Sequence, residues 1–141
     1  MKKIVLLSII IFSVFILHAG NRKKNAENLP LLNTKWILEE IYNQHVIHNI
    51  DTAFIIFNEH YKISGNLGCN LFFGNFNYGK KMLKFDYVGS TKKLCLDMHM
   101  ENQFVKMLRD DISNYYIEKD LLYIRNKNKV VAVFRGIPTP K

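Results

Sequence analysis

Between Ala53 and Val88 short apolar runs alternate with turn residues so closely that a long helix has no room to form. "AFIIF" (53–57) gives way to "NEH", "YKISG" (61–65) to a glycine-rich bend, and "NLFFGNFNY" (70–78) to "GKK" before "MLKFDYV" (82–88). Side chains alternate along a strand, so Phe72, Phe76 and Tyr78 fall on one side, and Leu83, Phe85 and Tyr87 likewise share a face. Tyr61 and Ile63 alternate in the same way with Lys62 and Ser64, while "AFIIF" is apolar on both faces and reads as a well-covered strand. Turn residues at such short spacing predict an antiparallel meander.

Strand signals flank this region on both sides. "TKWILEEI" (34–41) is a first strand with Trp36 and Leu38 on one face, and "NQHVIHN" is a polar connection or short hairpin arm. Beyond the meander the period changes. Asp97 suits an N-cap, and Met100, Phe104, Met107, Leu108 and Ile112 recur every three or four residues, which predicts an amphipathic helix over 98–111. Glu101, Gln103, Lys106 and Asp110 fall off that stripe. "YYIEK" (115–119), "LLYIRN" (121–126) and "VVAVFR" (130–135) return to strands, and "GIPTPK" reads as a tail. The expected fold is mainly β: an antiparallel, barrel-like sheet of about eight short strands with one packed helix.

The chain of 141 residues has room for one domain and a short appendage. Lys2 and Lys3 precede an unbroken apolar run from Ile4 to Leu17, and "HAGN" follows. This is the layout of a secretory signal over 1–20, too short for a permanent span, with cleavage expected between Ala19 and Asn21. Leu17 and His18 depart from the small residues preferred there, so retention as an uncleaved anchor is the other reading. Asn21 stands where a lipoprotein would carry its cysteine, so no lipid is expected. Residues 21–30 form a basic linker closed by Pro30, the domain proper covers 31–136, and 137–141 trail behind it. Arg22, Lys23 and Lys24 give this linker a site for peripheral contact with anionic lipid or wall polymer, although a solvated arm is the simpler reading. The net charge of +8 is otherwise scattered. With export expected, nucleic acid is rejected as a partner.

"ISGNLGCNLFFGNF" (63–76) carries the chemistry to be weighed. A phosphate cradle needs a glycine loop feeding a helix, whereas a strand pattern follows Gly68. Architecture is the better reading: Gly65 ends a strand, Gly68 permits an unusual backbone angle or close approach, and Gly74 eases a sheet bend. Asn66 and Asn70 serve local backbone groups. Cys69 and Cys95 are the only cysteines, and behind an export signal an even count favours a disulfide between them. Two alternatives stand beside it. Cys95 just ahead of the helix, with His99 nearby, suggests an activated thiol, but no third group or oxyanion loop accompanies them. Cys95, Met98, His99 and Met100 are soft or borderline metal ligands, but Met98 and Met100 diverge on a helix. His45, His48 and His60 lack ligand spacing, and the adjacent pairs Asp110–Asp111 and Glu39–Glu40 point apart and read as solvated surface. No catalytic set, metal site or cofactor site is therefore expected.

Taken together, "LLNTKWILEEI", "ISGNLGCNLFFGNF", "STKKLC", the helix and three closing strands resemble the META domain family, which includes HslJ-like heat-shock proteins. The likeness rests on Gly68, Cys69 and Asn70 followed by Phe72 or Phe73 and Gly74, on the spacing from Thr91 to Cys95, and on Trp36. It spans residues 31–135. It implies a compact barrel-like sheet with one helix, an envelope or secreted location, no established enzymatic activity, and links to stress or antibiotic tolerance. It supplies no catalytic or ligand set, so Trp36, Gly65, Gly68, Asn70, Phe72, Gly74 and Thr91 transfer as structural residues. Many relatives are lipoproteins, from which Asn21 departs. The functional expectation is a non-enzymatic exported protein, in the periplasm or cell envelope, acting through contacts with another envelope protein. The alternative is a carrier whose interior, lined by Phe72, Phe76, Phe85 and Tyr87, holds a small apolar ligand.

Overall fold

A computed structural model describes residues 27–47 and 52–138. The expected leader, the basic arm Arg22–Lys24, His48, the last three residues and the side chain of Tyr87 lie outside the described residues. Nine strands are present: β1 (Thr34–Ile41), β2 (Gln44–His45), β3 (Phe54–Phe57), β4 (Lys62–Asn66), β5 (Leu71–Tyr78), β6 (Leu83–Ser90), β7 (Asn114–Glu118), β8 (Leu121–Asn126) and β9 (Lys129–Pro138). Among the described residues there is one helix, α1 (His99–Arg109), between β6 and β7.

All pairings in the sheet are antiparallel, in the order β6-β5-β4-β3-β1-β9-β8-β7, and the two-residue β2 hangs from β1. The two ends of this order curl toward each other. An isolated bridge joins Met82 to Asn114, and the Tyr115 N–H donates to the Lys81 carbonyl at 2.9 Å. The result is a nearly closed barrel. Bulges supply the curvature, since an extra residue in one strand bends it. Register shifts occur at Glu39 in β1, around Gly74 where β5 meets β6, and at Val131 in β9, opposite the step from Ile124 to Arg125.

Alternating residues fill the interior as the period-2 pattern predicts. Trp36, Leu38, Ile55, Phe57, Ile63, Phe76, Leu122, Ile124 and Phe134 are all buried. The Trp36 indole N–H does not go unsatisfied, because it donates to the Leu31 carbonyl at 2.9 Å. The helix contributes Phe104, Met107 and Leu108, followed by Ile112. Phe104 reaches between Phe72 of β5 and Phe134 of β9, with ring centroids 5.6 and 5.7 Å away. Those strands stand on opposite walls, so α1 caps the interior as well as packing against β6.

Several local expectations change. The helix begins at His99 and ends at Arg109; Met98 holds the cap position, while Asp97 one residue earlier accepts the His99 N–H at 2.8 Å. Tyr61 is not in a strand: its φ is 56°, and it lies exposed over Phe76 and Tyr78. Gly65 does not end β4 but sits inside it, pressed so close to the Phe54 carbonyl and the Phe72 ring that a Cβ has no room. The expected tail is shorter, because Gly136, Ile137 and Pro138 continue β9 opposite β1. The linker is partly docked. Leu29 N–H donates to the Lys119 carbonyl at 2.8 Å, and Asn28 bonds both Ile117 and Lys119. The β1–β2 connection is a tight hairpin with Tyr42 (φ 46°) and Asn43 (φ 65°) at its centre, the positive-φ pair that two-residue hairpins require. "AFIIF" is fully covered on one face only, where Ile55 and Phe57 are buried, while Phe54 and Ile56 on the other are half-buried.

Candidate functional site: a clasped loop beside the helix

The residues linking β4 to β5 (67–70) and those linking β6 to α1 (91–98) meet at one end of the barrel. Asn70 is the junction. It is 1% exposed, and every polar group it owns has a partner. Its backbone N–H donates to Glu101 Oε2 at 2.9 Å, and its carbonyl accepts the Leu67 N–H at 2.8 Å. Its side-chain Oδ1 accepts from Thr91 Oγ1 and from the Lys93 N–H, both at 2.7 Å. Nδ2 donates to Glu101 Oε1 at 2.9 Å and to the Lys93 carbonyl at 3.0 Å. This fixes the amide orientation, because the Lys93 N–H can only donate and the carboxylate can only accept. Among the described residues Glu101 has no ion pair, so donors from Asn70 stabilise its buried carboxylate.

Chain geometry explains how the residues arrive there. Gly68 adopts φ 109°, which a side chain rarely permits, and Asn66 Oδ1 accepts its N–H at 2.7 Å. The turn thereby aims Cys69 at the second loop, where it is bonded to Cys95 with Cα atoms 6.4 Å apart. Glu101 lies three residues before Phe104 and seven before Leu108, so helical geometry carries it to the same packed face. This is the main residue that the apolar-stripe reading missed. The available signal was a carboxylate at core spacing, which needs a buried polar partner such as Asn70.

The same arrangement decides other expectations. With its sulfur bonded to Cys69, Cys95 is neither a free thiolate nucleophile nor a thiolate ligand. His99 turns away to Gln44 and Gln103, at 3.2 and 3.0 Å. Among the described residues no group of three or more His, Cys, Asp or Glu side chains could hold a metal ion. His45 pairs with Glu40 at 3.7 Å on an exposed edge, and His60 is exposed at a turn. Glu39 is half-buried at a bulge and bonds Arg135 at 3.0 Å. Asp110 is also more than solvated surface. Its Oδ2 accepts from Tyr42 at 2.6 Å and from Lys106 at 2.8 Å, pinning the helix end to the β1–β2 hairpin. Those bonds, Lys106 first and Tyr42 second, lower the Asp110 pKa, whereas burial and the Asp110 bond raise that of Tyr42.

A cleft of about 370 Å³ lies next to the clasp, with Gln44, Gly68, His99, Met100 and Glu101 among its walls. The barrel interior is occupied by protein. Phe57 meets Phe76 edge-on at 5.0 Å and Phe85 at 6.2 Å, so Phe72, Phe76 and Phe85 pack against other rings.

No helix among the described residues is long and apolar enough to cross a membrane, and the disulfide fits an extracellular or envelope protein. Two solution structures determined by NMR share the fold. One superposes with a TM-score of 0.60 at 20% identity, covering 73% of this chain and 88% of that one. The other, a protein from Burkholderia xenovorans, superposes with a TM-score of 0.62 at 17% identity, covering 77% of this chain and 85% of that one. No curated protein matches. The META domain model matches residues 29–136, and the chain belongs to the META domain family.

Proposed function

We propose that this chain is a non-enzymatic, exported cell-envelope protein that acts by contact with another envelope protein, in envelope stress or antibiotic tolerance. The carrying observation is the fate of the motif's reactive side chains. Cys69 and Cys95 are joined, and Asn70 bonds both Thr91 and Glu101, which supports a fold-holding role for the motif. The disulfide supports an oxidising compartment. The stress role rests on resemblance to the family.

The outer face of β5 offers a surface for such contact. Phe73 is 63% exposed and Leu71 lies on the same side. Their cross-strand neighbours include Ser64 and Gly89, too small to cover them. A photoreactive residue in place of Phe73, introduced in the native host, tests this reading. It should give one discrete protein adduct in intact cells, and Leu71→Ser should both remove that adduct and reduce growth under envelope stress. Absence of an adduct, with normal growth of the Leu71→Ser strain, would contradict the proposal.

A further inference from the structure

The loop between β6 and α1 carries "KKLCL" (92–96) at its tip, and its two leucines are the most exposed large apolar side chains described. Leu94 is 94% exposed and Leu96 110%. Isolated exposed leucines are ordinary on a mobile loop, but this one is held. Lys93 is gripped through both its N–H and its carbonyl by Asn70, and Cys95 is tied to Cys69. Leu94 therefore stands between two fixed backbone points, so little ordering entropy remains to be lost on contact. The charges beside it have one sign. Lys92 and Lys93 are exposed, and no acidic residue occurs from Ser90 to Leu96. Asp97, the next acid, is turned toward the His99 N–H.

From this geometry we infer that the 92–96 loop is a membrane-docking tip that inserts Leu94 and Leu96 shallowly into an anionic bilayer while Lys92 and Lys93 meet lipid phosphates. Two leucines flanked by lysines suit the bilayer boundary, where an apolar tip enters the acyl region and cations stay at headgroup level. Each lysine near such a surface strengthens binding roughly fivefold at physiological salt, and the gain shrinks as salt screens it. The loop is separate in sequence from β5 and from the basic arm at Arg22–Lys24.

The test uses the full chain carrying Leu96→Trp. Trp36 is fully buried and is the only other tryptophan, so the new indole reports from the tip. On vesicles of equimolar phosphatidylcholine and phosphatidylglycerol its emission should shift to the blue and be quenched by brominated acyl chains. Pure phosphatidylcholine vesicles should produce neither effect. Adding Lys92→Gln and Lys93→Gln should weaken partitioning by roughly tenfold or more. Vesicle binding with the position-96 emission unshifted and unquenched would overturn the inference, because another part of the chain would be making the contact. Equal quenching on neutral and anionic vesicles would overturn it as well.

Discussion

Replacing Asn70 tests the clasp at its centre. Asn70→Ala removes a charge-assisted bond to the Glu101 carboxylate and neutral bonds to Thr91 Oγ1, the Lys93 N–H and the Lys93 carbonyl. A neutral bond contributes about 1 kcal/mol net, and one to a charged group about 1.5–3 kcal/mol. The full sum overstates the cost, since Lys93 and Thr91 are exposed and water can replace some partners. The expected loss is about 3–5 kcal/mol, a large part of the roughly 5–15 kcal/mol that stabilises a domain. Asn70→Asp separates charge from size. The shape is kept, but a second carboxylate faces Glu101 within hydrogen-bond distance, so at neutral pH two like charges meet in a buried site. A shared proton restores a donor between them, so the deficit relative to wild type should narrow as pH falls from about 7 to about 4. Urea denaturation of the three proteins across that range gives the differences. A wild-type midpoint for Asn70→Ala, or a pH-independent deficit for Asn70→Asp, would refute the reasoning.

Three further outcomes follow from the same structure. Replacing both Cys69 and Cys95 by serine should lower stability by about 3.5 kcal/mol in the chain-entropy treatment of a 26-residue separation, measured by denaturation under oxidising conditions. Gly65→Ala should destabilise by roughly 3 kcal/mol or more, because its Cβ would meet the Phe54 backbone carbonyl, which cannot swing aside; thermal melting reads this directly. Asp110 has a lowered pKa in the folded state, so its contribution is complete above the ordinary carboxylate pKa and is lost as pH falls through the folded value. Asp110→Asn should therefore flatten the acid limb of the stability profile modestly, since Lys106, its first partner, is largely exposed to solvent.

Sequence periodicity located the elements well where burial is one-sided. "TKWILEEI" is β1 and "LLYIRN" is β8, residue for residue, because alternating faces leave little freedom of register. The helix stripe was legible for the same reason, and an even cysteine count behind an apolar leader pointed to the pair now seen bonded. What escaped depended on contacts distant in sequence. Glu101 fell off the apolar stripe in sequence, and only Asn70, 31 residues away, explains its burial by supplying its donors. Tyr42–Asn43 carries none of the usual Asn-Gly signature, and its hairpin is held in part by the bond from Tyr42 to Asp110. Tyr61 matched a strand pattern, yet its ring lies tilted against those of Phe76 and Tyr78 from outside the strand. β9 outran its apolar run because β1 offers partners as far as Pro138.

The central claim is that an oxidised clasp locks two loops of this domain together. Intact mass of protein purified from the envelope of its host, alkylated before and after reduction, tests it most directly. No alkyl group should be taken up before reduction and two afterwards, with Cys69 and Cys95 in one disulfide-linked peptide. Two alkylated thiols in the unreduced protein would contradict the account.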